Sequence, residues 1–514
     1  MKELLDSKSK KKIDIIEKIF HSNKHSCAQS DLLNDLNLTY PTLISMVEGI
    51  NNDLLGFGYE SFSITRHSYN QSYSIGISEN MSIQLVIHAY IRKSSKFKLL
   101  ELLLTSSYTN LESLSRRLFI SYSSVRRDIK DLNQLLSKYS LKISAKDGVR
   151  LEGDELGIRL FYTILFLTAY GGELWPFSYI QYLEITKILK DCPKEIYVAG
   201  SIDKSMLVHY YFAIHLLRVR KNYLIPETRS FDIALYTPYP KESIEAFDTF
   251  TSNLNKYLPN LSNRVLTFTS RLLLSTVLAM GNYSPIDKVP AFFYCEDQLK
   301  ETKIVETVIF MIDLVEQHLS IPFSSGEKEK LLYSMLSVTY RYFLFKGVSM
   351  DLSSTIMGFT EIQRNVRKKH KINHMRDLVR QMMDREELSI FDPFRKELEQ
   401  NYLLVLEKRI DFSKHTLPIK VAIFSIISNE NAVFDFMSYF SNYYNVSIVD
   451  NIETDTDIDL FISDFVLSPQ VISSLSISQP VVYVNTRWID SDYEKINTKL
   501  AEIATENFIN SKGS

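Results

Sequence analysis

The stretch that decides the fold is Asn110-Leu111-Glu112-Ser113-Leu114-Ser115-Arg116-Arg117-Leu118-Phe119-Ile120-Ser121-Tyr122-Ser123-Ser124-Val125-Arg126-Arg127-Asp128-Ile129-Lys130. Asn110 can cap a short helix whose apolar face is Leu111, Leu114, Leu118 and Phe119, at i, i+3, i+7 and i+8 spacing. Ile120-Ser121-Tyr122 is a break. Ser123 or Ser124 can then cap a longer helix with Val125, Ile129, Leu132, Leu135 and Leu136 as its buried stripe. Upstream, Leu99 to Leu104 closes one apolar helical stretch. Downstream, Leu141–Ser144 and Val149–Leu151 flank Asp147-Gly148, which is alternation around a hairpin turn. Helix, short helix, turn, helix and hairpin is the order of a winged helix-turn-helix, whose third helix enters the major groove with its N-terminal residues nearest the bases.

The polar face at the start of that third helix carries Ser121, Tyr122, Ser123, Ser124, Arg126, Arg127 and Lys130. Hydroxyls and backbone amides suit phosphate, and arginine can pair bidentately with guanine. Arg116 and Arg117, on the preceding helix, are expected near the DNA backbone.

Charge agrees with this placement. The whole chain has 514 residues, 59 Lys/Arg and 61 Asp/Glu, a net charge of −2. A neutral total argues against a nucleic-acid binder only if it is evenly spread. Residues 85–150 hold 13 Lys/Arg against 5 Asp/Glu, and residues 415–514 hold 5 against 13. The total is a cancellation between a basic block of domain size and an acidic end, and the basic block is the footprint of a phosphate-backbone binder.

A second, weaker copy lies upstream. Ile13, Ile15, Ile16, Ile19 and Phe20 mark a helix after the Lys8–Lys12 run, and Gln29–Leu36 a short one. Thr39-Tyr40-Pro41-Thr42 opens a third, with proline in the first turn where its missing N–H costs nothing. Leu43, Val47, Ile50 and Leu54 form the buried face of that helix, and its exposed face is expected to hold Glu48 and Asp53 but no Lys or Arg. Phe62–Thr65 and Tyr73–Ile77 read as a wing. Thr39, Tyr40, Thr42 and Arg66 are this copy's candidate DNA contacts.

From residue 158 to about 415 the apolar period is helical, and proline clusters punctuate it. A cut near 285–290 leaves two helical units of similar length. Their histidines are the plausible reactive groups. His209 and His215 lie six apart on one helix, so they do not stack as metal ligands would. His318 ends an apolar helix, where partial positive charge suits the dipole. His370 and His374 are four apart, but the cationic stretch Arg367–Lys371 would repel a metal. The last hundred residues change period: Ile419–Ser425, Asn445–Val449, Ile458–Ser463 and Pro480–Asn485 read as buried strands alternating with helices, a small parallel α/β sheet. Glu453, Asp455, Asp457 and Asp459 superficially resemble a calcium loop, but Leu460 stands where that loop needs glycine.

The expected fold class is therefore multidomain and mostly α. It comprises two winged helix-turn-helix units (1–80 and 81–157), two helical bundles (158–286 and 287–416) and a small α/β domain (417–514). Cys27, Cys192 and Cys295 are too few and too scattered for a disulfide framework or a zinc site. The polar, lysine-rich start is no signal peptide, and no apolar run approaches membrane-spanning length. The expectations are a cytoplasmic chain with no catalytic constellation, no metal and no cofactor, which is not an enzyme and has no membrane association.

This order resembles the Mga/AtxA family of virulence regulators, including its RofA-like subgroup. The resemblance rests on architecture over nearly the whole chain and on two motif-like stretches, Trp175-Pro176-Phe177-Ser178-Tyr179-Ile180 and Ser123–Ile129. It implies a DNA-binding transcription activator that acts on double-stranded promoter DNA. It further implies phosphotransferase-regulated bundles, a last domain similar to enzyme IIB of the sugar phosphotransferase system, and homodimerisation through the C-terminal part and the bundles. The phosphocarrier protein HPr is the implied phosphoryl donor, with His209, His215 and His318 as the candidate acceptors. Enzyme IIB carries a reactive cysteine after its first strand. Here that loop reads Ser425-Ile426-Ile427-Ser428-Asn429, and a contact role is left. The alternatives are an RNA-binding antiterminator under phosphotransferase control, which would need a β-rich N-terminal module, and a phosphotransferase scaffold that binds no DNA.

Overall fold

The computed structural model describes residues 2–78, 82–104, 106, 110–146, 148–192, 202–226, 244–280, 303–319, 323–345, 379–380, 383–385, 388–389, 392, 395–410, 418–426, 429–441, 444–449, 457–474, 479 and 481–510. The cut at 285–290, Cys295, His370, His374, Glu453 and Asp455 fall outside them. The chain is mostly helical with small sheets, and it divides into two compact units. One is Met1–Tyr294 with Tyr340–Asp351, the other Cys295–Thr339 with Leu352–Ser514.

The first unit opens with α1 (Ser7–His21), β1 (Ser26–Ala28), α2 (Gln29–Asp35), α3 (Tyr40–Gly56), β2 (Ser63–His67) and β3 (Ser72–Gly76). The strands form an antiparallel sheet in the order β1-β3-β2, with Cys27 opposite Tyr73 and Ile64 opposite Ile75. Leu43, Val47, Ile50 and Leu54 are buried, as their spacing requires. The lysine run lies inside α1 rather than before it. Lys12 is buried, pairs with Asp53 at 2.6 Å and donates to the Gly49 carbonyl. Asp53 is therefore turned to α1, not to solvent as expected, because a buried ammonium needs a counter-charge. Burial raises its carboxyl pKa, but the hydrogen bonds from Lys12 and Tyr90 outweigh that and leave it lowered.

The pattern then repeats with α4 (Ile83–Lys93), α5 (Ser95–Leu103), α6 (Leu111–Leu118), α7 (Tyr122–Leu136), β4 (Lys142–Ser144) and β5 (Arg150–Glu152). The single apolar helix expected before α6 is in fact two. Ser94 closes α4 and its side chain accepts from the Phe97 amide to open α5. In the repeat, Tyr40 and Tyr122 are both the first helical residue, and Asn51 corresponds to Asn133. The two asparagines do the same work. Asn51 accepts from the Ile64 amide and donates to the Ile64 carbonyl, both at 2.9 Å. Asn133 does so with Ile143, at 2.6 and 3.1 Å. Each amide side chain clasps the third helix to the first strand of its hairpin.

Helix α8 (Glu155–Tyr170) leaves the second hairpin directly and packs on α4 and α10 (Ile202–Arg220). Helices α9 (Tyr182–Lys190), Ile244–Tyr257 and Asn263–Met280 complete the bundle. The Trp175–Ile180 stretch anchors it. The Trp175 ring meets Phe177, Tyr182 and Tyr210, and its N–H donates to the Ile180 carbonyl at 2.6 Å.

In the second unit, β6 (Ile419–Phe424), β7 (Val446–Ile448), β8 (Leu460–Ser463) and β9 (Val481–Tyr483) form a parallel sheet in the order β7-β6-β8-β9. Helices Asn429–Phe440 and Asp490–Asn510 supply Phe436, Phe440, Ile496 and Leu500 to its core. Asp459, from the acidic run, accepts from the Lys420 amide at 2.8 Å and so is tied to β6 at the start of the central strand β8. Helices Lys303–Leu319, Ser325–Leu344 and Arg395–Arg409 precede the sheet in sequence.

Candidate nucleic-acid interface

Ser121, not Ser123 or Ser124, caps α7. Its hydroxyl accepts from the Ser124 amide at 3.1 Å and lies 3.0 and 2.9 Å from the hydroxyls of Ser123 and Ser124. The helix thus begins with Tyr122, which is 46% exposed. Tyr122, Ser123, Arg126, Arg127 and Lys130 fall within about 140° of the helix circumference. Arg126, Arg127 and Lys130 are exposed. The helix's two carboxylates lie outside that arc and are held by residues of α5. Asp128 is buried and accepts from Ser95 at 2.5 Å, and Asp131 pairs with Lys96 at 2.7 Å. Ion pairs in this part of the chain use Lys96, Lys138, Lys142 and Arg150. Arg116, Arg117, Arg126, Arg127 and Lys130 take part in none among the described residues. The result is a row of unneutralised cations on one helix face, with hydroxyls at its positive end, which is suited to a polyanion.

Phe119 was expected on the apolar face of α6. It is instead 92% exposed, with φ of 57°, at the left-handed residue that closes α6. Helical spacing ends one residue too early for it, because the chain must reverse direction before α7. Arg116 and Arg117 are exposed in the last turn of α6.

In the first copy, the Arg66 guanidinium lies over the Tyr40 ring, 5.3 Å from its centre, so two expected contacts come together from helix and wing. Thr39 and Thr42 share a hydroxyl–hydroxyl hydrogen bond of 2.7 Å. Ile44 and Ser45 stand where the second copy has Arg126 and Arg127, so the cationic row belongs to the second copy.

The candidate histidines lie elsewhere. His209 is buried, stacked on Tyr182 with ring centres 4.5 Å apart, and hydrogen-bonded to Thr186 at 3.2 Å. His215 is fully buried, and its Nδ1 accepts from Arg159 at 2.7 Å. Burial, and after it the Arg159 charge, hold its pKa well below the ordinary value. His318 lies in helix Lys303–Leu319, and its side chain is outside the described residues. His215 belongs to a network that sequence reasoning missed. Glu155 accepts from Arg159 at 3.0 Å and from Arg218 at 2.9 and 2.5 Å. Arg159 also donates to the Tyr223 carbonyl, and Arg218 to the Leu104 carbonyl just beyond α5. A warning was present in the sequence: arginine at two positions inside strongly apolar helices.

Among the described residues no group of three or more His, Cys, Asp or Glu could hold a metal ion, and no helix is long and apolar enough to cross a membrane.

A short helix, a tight left-handed turn, a second helix with an outward cationic face and a following hairpin define a helix-turn-helix unit of the winged kind. Comparison with known proteins agrees. Residues 79–166 match the Mga helix-turn-helix domain. A putative trans-acting regulator of Streptococcus pneumoniae serotype 4 is 23% identical over 223 residues, 43% of each chain. The capsule synthesis positive regulator AcpB of Bacillus anthracis is 28% identical over 140 residues, 27% of this chain and 29% of that one. The capsule synthesis positive regulator AcpA of the same organism is 24% identical over 353 residues, 63% of this chain and 65% of that one. The chain thus matches from under a third to just under two thirds of the length of these relatives. The similarity is at family level, to transcriptional regulators of the Mga/AtxA type.

Proposed function

We propose that this chain is a DNA-binding transcriptional activator of virulence or capsule genes, not an enzyme, with α7 as its main reader. The observation that carries the reading is the outward row Arg126, Arg127 and Lys130, unpaired while the carboxylates of the same helix are held by α5. The match of residues 79–166 to a helix-turn-helix domain supports it, as do two relatives described as positive regulators of capsule synthesis.

The layout that goes with this reading is two winged units (1–80 and 81–157), two regulatory bundles (158–286 and 287–416) and an enzyme IIB-like domain (417–514). In that last domain the loop after β6 suits contact rather than phosphotransfer. The Asp464 carboxylate accepts from the Ser425 hydroxyl at 2.7 Å and the Ile426 amide at 2.9 Å, so it takes donors that a phosphoryl group would need. Homodimerisation and phosphorylation by HPr at His209, His215 or His318 complete the proposal. Since His209 and His215 are buried, phosphorylation there requires local opening of α10.

The test is DNA affinity of the full chain across a salt series, on a duplex selected by the wild-type chain from a random pool. Replacing Arg126 and Arg127 by alanine should weaken binding sharply and reduce the salt slope by about 0.9 for each of the two that neutralises a phosphate. Wild-type affinity and slope in that variant would overturn the assignment.

A further inference from the structure

We infer that Phe119 is an apolar DNA contact, held out from the helix-turn-helix at the expense of backbone ease; this rests on the reading of α7 as a DNA reader. The left-handed residue that ends a helix is most easily glycine or asparagine, because a Cβ crowds the carbonyl there and a bulky side chain adds to the crowding. The first copy follows that rule. Asn37, in the turn just after α2, has φ of 49°; its N–H reaches the Asn34 carbonyl, and Leu38 N–H reaches the Leu33 carbonyl. The second copy has the same turn, with φ of 57° at Phe119 and amides reaching the Arg116 and Ser115 carbonyls. Here, however, the residue is a phenylalanine.

Neither local geometry nor core packing accounts for that choice. The side chain is 92% exposed, more than any other large apolar residue among those described. Its surroundings identify what covers it. It follows Arg116 and Arg117, and it precedes Tyr122 and the cationic row of Arg126, Arg127 and Lys130, all exposed. An apolar ring set among unneutralised cations is complementary to a polyanion that also offers apolar surface. Duplex DNA does so through deoxyribose faces and thymine methyl groups. In a helix-turn-helix, the N-terminal residues of the recognition helix meet the base edges, and Phe119 stands three residues before α7 begins at Tyr122.

The comparison between copies also supplies the experiment. Phe119→Asn installs the first copy's residue, and Phe119→Gly installs the residue the turn prefers. Both should leave the urea midpoint of the full chain equal to or above wild type. Both should weaken binding to the selected duplex about tenfold, the loss of roughly half a buried phenylalanine. The salt slope should not change, since no phosphate contact is lost. Phe119→Leu, which keeps an apolar side chain, should bind better than either. If the Asn and Gly variants bind like wild type while the Arg126/Arg127 variant loses affinity and slope, the inference fails and the reader assignment stands. Leucine no better than asparagine would also overturn it. If the Arg126/Arg127 variant is unchanged as well, the DNA reading falls and this inference with it.

Discussion

Replacing Glu155 by alanine tests the buried network that joins the second winged unit to the first bundle. Arg159 and Arg218 are 1% and 2% exposed, and Glu155 is the carboxylate that both reach. Without it two guanidiniums remain buried with no counter-charge. Removing one partner of a buried ion pair costs about 3–5 kcal/mol. The Glu155 side chain is 13% exposed, so some water reaches the site and the lower end applies. With an m-value of about 3 kcal/mol/M, 3 kcal/mol moves the urea midpoint of the first unfolding transition down by about 1 M. The order of variants is more diagnostic than the size. Arg218→Met leaves the Glu155–Arg159 pair intact and neutral overall, so it should cost less than Glu155→Ala, although it also frees the Leu104 carbonyl. Hydrogen exchange should rise first at the start of α8 and at the Leu104 end of α5. An unchanged midpoint for Glu155→Ala, or a larger loss for Arg218→Met, would refute the reasoning.

Asn133→Ala removes both hydrogen bonds to Ile143 and should cost about 1–3 kcal/mol, since part-buried backbone groups lose their partner. Amide exchange in β4 and β5 should rise while α6 stays protected; equal exchange across the unit would show that the clasp is not what holds the wing. The depressed pKa of His215 makes stability depend on pH. Below its ordinary pKa of about 6.5 the unfolded chain binds a proton that the folded chain does not, so this group's share of stability is full above 6.5 and is lost as pH falls. The slope reaches about 1.4 kcal/mol per pH unit. His215→Gln should therefore lose less stability than wild type between pH 7.5 and 5.5, and identical losses in urea midpoints would contradict the burial argument.

The sequence by itself determined the elements whose period is local. The stripe Leu43, Val47, Ile50 and Leu54, the antiparallel pair β4 and β5, and the apolar runs of β6 and β8 are readable because helices and strands repeat every 3.6 and 2 residues. It also determined that a basic block and an acidic end cancel, which pointed to the face Arg126, Arg127 and Lys130. What it misread lay at the ends of elements. Phe119 continues the apolar spacing of α6 but sits in the left-handed turn, Ser121 caps two or three residues earlier than expected, and Ser94 divides a continuous apolar run. Termini are set by competition between a few hydrogen bonds, which hydrophobic spacing does not record.

Only the tertiary structure decided which charges are free and which are spent. Asp53 meets Lys12, Asp131 meets Lys96, and Glu155 meets Arg218 across 41, 35 and 63 positions of the chain. Each pairing sets a carboxylate against a buried or nearly buried cation. On α7 that leaves the arginines as the field a partner meets. The physical reason is that a charge's role depends on what neutralises it, and its neutralising partner is chosen by packing between elements far apart in sequence.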